Sequence, residues 1–279
     1  MIIITDTGSD ILEQEAQEMD IRLVSITSRF PGRTFTHNTQ AEFAAFYELL
    51  RSQPQPPISS QPSPEEFLTL FEEARQKDEE VLVLTISSGL SGTYNCAVLA
   101  RNMCDYDKIY VLDTLQASLS LRLIVEYAVR LRDQGCQMAE IITRLEDVRQ
   151  RTFLAGVPST LLYLKKGGRL SPLIADIGEL LNIKPILRLA DGTIECKSKV
   201  RGMKAARAGL RSILEASTLE PDIPVYFAHS DNEKIGARFR EEICSSMSIE
   251  ASPLYNVGPA IGTHVGPDAM IMAFMTRSK

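Results

Sequence analysis

The sequence predicts an α/β protein with two domains, and the order of its segments supports this prediction in two ways. Over residues 1–150, short apolar runs alternate with amphipathic helical segments, which is typical of βαβ units and a mainly parallel sheet. Over residues 151–279, a predicted β-hairpin is followed by helices and further strands, which indicates a second domain of α/β (α+β) type. The 279 residues suffice for two buried cores.

In the first half, continuous apolar runs predict buried strands, at Ile2–Thr5, Leu23–Thr27, Val81–Leu84 and Ile109–Asp113. Capping boxes at Thr39 and Ser63 each predict the start of a helix. Further helices are predicted at Asn95–Asn102, Leu115–Arg132 and Met138–Arg149. These elements alternate in the order that a parallel sheet requires.

In the second half, the predicted strands are Thr152–Val157, the hairpin Ile183–Leu189 with Thr193–Lys199, Val225–Ala228 and the apolar run Ala269–Phe274. Helices are predicted at Leu161–Leu164, Met203–Ala216 and Ile235–Ser246. The Gly/Pro-rich segment from Gly258 to Pro267, which carries His264, is predicted to be a loop.

Composition excludes several classes of protein. A formal net charge of -6 argues against a nucleic-acid-binding protein. The five cysteines are scattered without a C-x-x-C pair, which predicts no zinc site and no disulfide framework. The apolar run at the first residues is too short for the hydrophobic region of a signal peptide, and no apolar stretch approaches membrane-spanning length. We therefore expect a soluble protein of the cytoplasm.

The segment Thr85–Tyr94 carries the first functional signal. It follows a predicted strand, contains two glycines and several hydroxyls, and precedes a predicted helix. Glycine-rich turns and helix N-termini present unpaired N–H groups, which suit a negatively charged ligand. An ordinary turn uses the same residue types, so this alternative stays open on spacing alone. Nucleotide-binding motifs are absent from the sequence, and we predict no cofactor.

With this segment in place, the chain resembles the bacterial DegV family, the fatty acid-binding components of fatty acid kinase. Six ordered segments carry the resemblance: Asp6–Asp10, Ser59–Ser63, Ile86–Tyr94, Leu162–Arg169, Asn182–Leu187 and Gly258–Pro267. Together they extend over nearly the whole chain.

The resemblance implies that the two domains clasp one long-chain fatty acid between them, with its tail in a buried apolar tunnel. Its carboxylate would be held by residues of three segments: Ser59, Ser60, Ser91, the N–H of Gly92, and His264. A nearby anion would favour protonation of His264. Arg169 would lie at the kinase-docking surface or at the pocket mouth.

Such proteins present the fatty acid to a separate ATP-dependent kinase subunit, and transient contact with a membrane is compatible with that role. The implied protein is a carrier without turnover of its own.

Two departures from the family's pattern bear on the ligand. After Asp113, Ser120 and Arg122 stand where the family has small residues, so Arg122 is expected to alter the tunnel or to meet a polar ligand. Directly after the last segment, Asp268 stands where a glycine is usual, and an acid there is expected to alter the carboxylate end.

Two other functions stay open. A serine hydrolase would use Ser91 with His264 and an aspartate, although the G-x-S-x-G context is missing. A phosphate or sugar-phosphate enzyme would use the basic segment 163–204, which contains nine Lys/Arg and four Asp/Glu. A solvated charged surface or a docking surface for an acidic partner would explain the same segment.

Overall fold

The computed structural model describes residues 1–170, 182–249 and 252–277. The strands in chain order are β1 (Ile2–Asp6), β2 (Ile21–Val24), β3 (Thr27–Phe30), β4 (Arg33–Phe35), β5 (Ile58–Ser60), β6 (Val81–Thr85), β7 (Ile109–Asp113), β8 (Thr152–Val157), β9 (Ile183–Ala190), β10 (Thr193–Arg201), β11 (Tyr226–His229), β12 (Leu254–Asn256) and β13 (Met270–Met275).

The helices are α1 (Glu13–Glu18), α2 (Gln40–Ser52), α3 (Pro64–Gln76), α4 (Thr93–Met103), α5 (Ser118–Asp133), α6 (Met138–Arg151), α7 (Leu162–Lys166), α8 (Met203–Glu215), α9 (Glu233–Met247) and α10 (Pro259–Val265). Within these described ranges, no helix is both long and apolar enough to cross a bilayer.

The first large sheet is parallel, with the strand order β2-β1-β6-β7. Every residue of β6 is buried, which explains its continuous apolar sequence, because a parallel sheet has both faces covered. The strands are in register, so that Thr85 at the end of β6 lies beside Asp113 at the end of β7. Polar groups at the carboxyl ends of these strands therefore meet at one edge of the sheet.

The second large sheet is mixed, with the order β10-β9-β8-β13-β11-β12. It contains the predicted hairpin, in which Thr193 pairs with Ala190 across a tight turn. Helices α8 and α9 bury one face through residues such as Leu210 and Phe239. The α/β fold class predicted from the sequence is confirmed, since the first sheet is parallel, the second is mixed and helices pack against both.

Helix α5 is buried between the two large sheets. Leu119 and Leu123 pack against the second sheet, whereas Leu121 and Ile124 join the core under the first. That core also receives Leu189 from β9, so apolar packing is continuous between the two halves of the chain. The predicted domain boundary near residue 150 stays a prediction.

Several elements differ from the sequence-based expectation, and α1 and β12 are among those that were not predicted. A small antiparallel sheet, β4-β3-β5, was not predicted, because its strands are three or four residues long and lack a clear period. The predicted strand Leu23–Thr27 is divided between β2 and β3. The predicted loop at 258–267 is wrong, since α10 occupies most of it. Its first residue is Pro259, and Gly266, with φ of 72°, directly follows its last residue. Proline at the first position and glycine after the last are common at helix ends.

Candidate functional site

A cavity of about 410 Å³ lies between the two halves of the chain, where it is lined by β5, the segment after β6, strands β8 to β10 and helix α10. Its volume falls within the range of about 300–1,000 Å³ typical of small-molecule sites. Most of its lining is apolar, with side chains such as Leu90, Leu189, Ile194 and Ile261. A cavity of this composition suits a ligand with a long apolar part.

The structure brings five of the six predicted site residues to the wall of this cavity: Ser59, Ser60, Ser91, Arg169 and His264. Ser59 and Ser60 lie on β5, which pairs with β3 through Ser59 opposite Ser28. The Ser28 hydroxyl donates to the Pro259 carbonyl at 2.9 Å, so β3 connects β5 to the start of α10. This connection explains how residues 205 positions apart meet in one hydrogen bond between Ser59 Oγ and His264 Nε2, 2.8 Å long.

Two buried or half-buried aspartates shape the turn after β6. The Asp6 carboxylate accepts hydrogen bonds from the N–H groups of Ile86 at 2.7 Å and Gly8 at 2.9 Å. The Asp113 carboxylate accepts from the Ser88 N–H at 3.1 Å. Both acids therefore organise the turn from neighbouring strand ends. The Ser91 hydroxyl lies 2.8 Å from Thr93 Oγ1 at the start of α4.

Gly92 is the sixth predicted residue, and it precedes α4 without itself lining the cavity. Among the described residues, no acceptor for its N–H is present. Free N–H groups at the start of a helix favour an anion. The role of Gly92 as a donor to a ligand stays a prediction.

His264 lies in the last turn of α10 and is neutral near pH 7. Burial, and secondly the positive charge of Arg169, lower its pKa to about 4. Its Nδ1 is buried and lacks a partner among the residues that the structure describes. An unpaired buried N–H is rarer than an unpaired acceptor, so we assign the ring proton to Nε2. In this tautomer Nε2–H donates to Ser59 Oγ, and the Ser59 hydroxyl proton remains available for a ligand.

We expect His264 to make the ligand-free protein less stable in acid. The unfolded chain binds the imidazole proton near its ordinary pKa of 6.5 and the native protein only near 4, so stability falls as the pH drops between these values. The measurement is urea unfolding of delipidated wild type and His264→Asn at several pH values. The wild-type free energy of unfolding should fall relative to the variant's below about pH 6.5.

The difference in unfolding free energy between wild type and His264→Asn isolates the titration of His264, because other titrating groups contribute equally to both proteins. Burial raises the pKa of both Asp6 and Asp10 to about 7, so these carboxyls stabilise the native state toward acid and oppose the histidine. Their effects are common to both proteins. A difference that stays constant between pH 7.5 and 4.5 would mean that the pKa of His264 is not lowered.

Arg169 belongs to the cavity wall, which fits the predicted pocket mouth. Its Nε donates to the Leu90 carbonyl at 2.9 Å and its Nη1 to the Gly167 carbonyl at 2.5 Å. These bonds tie the segment after α7 to the turn that carries Ser91. The rest of the basic segment 163–204 lies only partly within the described residues, since 171–181 fall outside them.

The expectation that Arg122 meets a ligand or shapes the tunnel is wrong. Its side chain is 4% exposed and forms ion pairs with Glu15 at 2.5 Å and Glu126 at 2.7 Å. The guanidinium also lies 3.9 Å from the centre of the Tyr255 ring. Arg122 thus joins α1, α5 and β12, and it is absent from the cavity wall. Ser120 is likewise turned inward, with its hydroxyl on the Ala117 carbonyl.

The expectation that Asp268 alters the carboxylate end is also wrong. Its carboxylate accepts from Arg51 at 3.1 Å and from the Asn232 side-chain amide at 2.7 Å. Arg51 reaches Asp231 as well, at 2.7 Å. These contacts hold α2 against the loops that follow β11 and α10. Asp268 is not part of the cavity wall.

The geometry does not support a hydrolase built on Ser91 and His264. His264 bonds to Ser59, while the Ser91 hydroxyl is paired with Thr93. A triad also needs an acid on the far nitrogen of the histidine, and within the described part of the chain Nδ1 has no partner.

Three polar residues of the cavity wall, Gln61, Ser118 and Arg188, were not among the predicted site residues. Gln61 lies within a segment that carries the family resemblance, so its position was a usable signal. Ser118 donates to Asp10 Oδ2 at 2.5 Å, a contact between residues 108 positions apart that sequence patterns do not reveal.

Comparison with known proteins agrees with this architecture. A family model described as "Uncharacterised protein, DegV family" matches residues 1–277. A fatty acid-binding protein of Thermotoga maritima is 35% identical over 271 residues, which cover 95% of this chain and 94% of that protein.

Solved structures give the same result. A Thermus thermophilus DegV family protein, described by its fatty acid binding, is 31% identical, with a TM-score of 0.86 over 98% of this chain and 99% of that one. A Thermotoga maritima protein whose structure reveals a fatty acid binding function is 29% identical, with a TM-score of 0.87 over 99% of both chains. The chain described here belongs to the DegV family.

Proposed function

We propose that this protein binds a long-chain fatty acid and presents its carboxylate to a separate ATP-dependent kinase subunit in the cytoplasm. The observation that carries the proposal is an apolar cavity whose wall includes four serines and a neutral histidine. Two relatives, at 35% and 31% identity, are described as fatty acid-binding, which supports the same ligand class.

The head group suits the polar part of the wall. A carboxylate accepts several hydrogen bonds, and the hydroxyls of Ser59, Ser60 and Ser91 with the N–H of Gly92 are uncharged donors. They can satisfy the anion without a direct bond to a charged side chain. The guanidinium of Arg169 adds a favourable field from the same wall. In this arrangement His264 acts through Ser59, whose hydroxyl it orients.

The acyl tail supplies most of the affinity. Each buried methylene contributes about 0.8 kcal/mol, so a long chain contributes about 10 kcal/mol before the costs of association are subtracted. The apolar wall provided by Leu90, Leu189, Ile194 and Ile261 is the surface that such a tail would contact. No cofactor enters this function, because the carrier only holds and positions its ligand.

The test of this function is denaturing extraction of the purified protein followed by mass spectrometry. A fatty acid in near-equimolar amount is the expected result. Delipidated protein should bind added palmitate again. Absence of both a co-purified acid and rebinding would refute the proposal.

For the kinase partner, we expect Arg169→Ala to weaken acyl-phosphate formation in a coupled assay with the kinase. The guanidinium is held in the cavity wall beside Leu90, and from there we expect its charge to act on the bound carboxylate and on the incoming phosphate. Palmitate retention should fall by less than about tenfold, since no direct bond from Arg169 to the head group is required. Lys204→Ala, in the same basic segment but outside the cavity wall, is the matched control. Full coupling by the Arg169 variant would contradict this role.

A further inference from the structure

The serines of the proposed head-group site come from two separate parts of the fold. Ser59 and Ser60 lie on β5, an edge strand of the small sheet, while Ser91 and Gly92 directly precede α4. A single carboxylate can bond to both groups only if the distance between them is fixed. The pairing of β5 with β3 fixes one edge of the strand, and its other edge has no strand partner within the described residues.

The side chain of Gln61 spans this gap. Its Nε2 donates to Cys96 Sγ at 2.9 Å, and Cys96 lies in the first turn of α4 with 6% of its surface exposed. Its Oε1 lies against Gly92, at 1.8 Å from where a Cβ would stand on that residue. Gln61 follows Ser60 directly in the chain, so one side chain links β5 to the N-terminus of α4.

The absence of a side chain at position 92 has a physical reason in this contact. The backbone of Gly92 has φ of -74°, which any residue adopts, so conformational freedom does not require glycine there. The limit is Gln61 in its present position, because a Cβ on residue 92 would meet the side-chain amide of Gln61 and force it to move away. Gly92 and Gln61 therefore form a complementary pair beside the cavity.

We propose that Gln61 is a positioning residue for the head group, which holds the β5 serines and the α4 N-terminus at the spacing that one carboxylate needs. This inference rests on the proposed fatty acid binding and adds a determinant of acid recognition to it. Gln61 lines the cavity at an exposed position, so it also borders the opening at which the head group would be reached from outside.

The test separates head-group recognition from tail binding. Delipidated wild type and Gln61→Met are titrated with palmitate and with hexadecanol, which share a tail and differ in the head group. Methionine keeps the length of glutamine and removes the amide. We expect palmitate to bind about tenfold more weakly to the variant and hexadecanol to bind unchanged. Gln53→Met, an exposed glutamine at the end of α2, should match wild type with both ligands.

Changing the side-chain sizes at positions 92 and 61 gives a second, independent test of this pairing. Gly92→Ala alone should displace Gln61 and lower palmitate affinity about tenfold. In a Gln61→Ala background the added methyl group has room, so Gly92→Ala should cause no further loss, a non-additive result. Additive losses would overturn the pairing of the two residues.

The outcomes distinguish this inference from the proposed function. If wild type binds neither ligand, the proposed function fails and the positioning role falls with it. If wild type binds palmitate and Gln61→Met binds it equally well, only the role of Gln61 is overturned. Equal losses for palmitate and hexadecanol, with a lowered melting temperature, would reduce Gln61 to a structural contact and likewise overturn the proposal.

Discussion

Replacing Arg122 with methionine should lower the free energy of unfolding by about 3 kcal/mol, because it leaves two partly buried carboxylates without their cation. Glu15 and Glu126 are only 27% and 24% exposed, so water compensates their charges poorly. Burial by itself would lower the pKa of Arg122, but these two acids outweigh it and raise that pKa. The guanidinium is therefore charged at neutral pH, as an arginine ordinarily is.

Urea unfolding of the delipidated protein measures this loss, and Arg130→Met is the matched control. Arg130 lies on the same helix, with its guanidinium 5.0 Å from the centre of the Tyr127 ring, and its removal should cost about 0.5–1 kcal/mol. The folded Arg122 variant should bind palmitate as wild type does, since Arg122 is outside the cavity wall. Unchanged stability combined with lost palmitate binding would place Arg122 in the ligand site instead.

Arg122 also shows what could not be predicted from the sequence. Its departure from the family's pattern was visible, but its partner Glu15 is 107 positions away and Tyr255 is farther still. The sequence alone does not distinguish a buried arginine that contacts a ligand from one that forms ion pairs. Only the packing of α1 and β12 against α5 distinguishes the two cases.

Elements with a strong local pattern were predicted well. The strand Thr152–Val157 has the predicted bounds, and the hairpin formed by β9 and β10 surrounds the predicted Ala190–Gly192 turn. Apolar periodicity and turn chemistry are local signals, which a sequence carries directly. These local signals were sufficient to predict the α/β fold class.

The candidate site depended on features without such a pattern. Strand β5 has three residues, and its pairing with β3 spans a helix, so no local signal predicts where Ser59 lies. Helix α10 has a composition rich in glycine and proline, which favoured a loop, although Pro259 at its first position was a usable helix signal. The family resemblance named Ser59 and His264, but their hydrogen bond required the tertiary structure.

Removing the hydroxyls of the site should weaken palmitate binding most when Ser59 and Ser91 are lost together. A hydrogen bond to a charged group contributes about 1.5–3 kcal/mol, so Ser59→Ala and Ser91→Ala should each cost about 10- to 100-fold in affinity. In Ser59→Ala the Nε2–H of His264 also loses its acceptor, which adds an unpaired buried donor to the wall. The double variant should bind palmitate no better than it binds hexadecanol.

Titration of delipidated protein with both ligands measures this effect, and Ser59→Thr and Ser52→Ala are the controls. Threonine keeps the hydroxyl that His264 contacts, while Ser52 lies exposed at the end of α2 and bonds only to Leu49 among the described residues. Both controls should retain wild-type affinity. Palmitate affinity that survives loss of both hydroxyls would mean that the tail and Arg169 hold the ligand without them. In that event the Ser59–His264 hydrogen bond would serve the packing of β5 on α10 and not the recognition of an acid, because its donor and acceptor satisfy each other without any ligand.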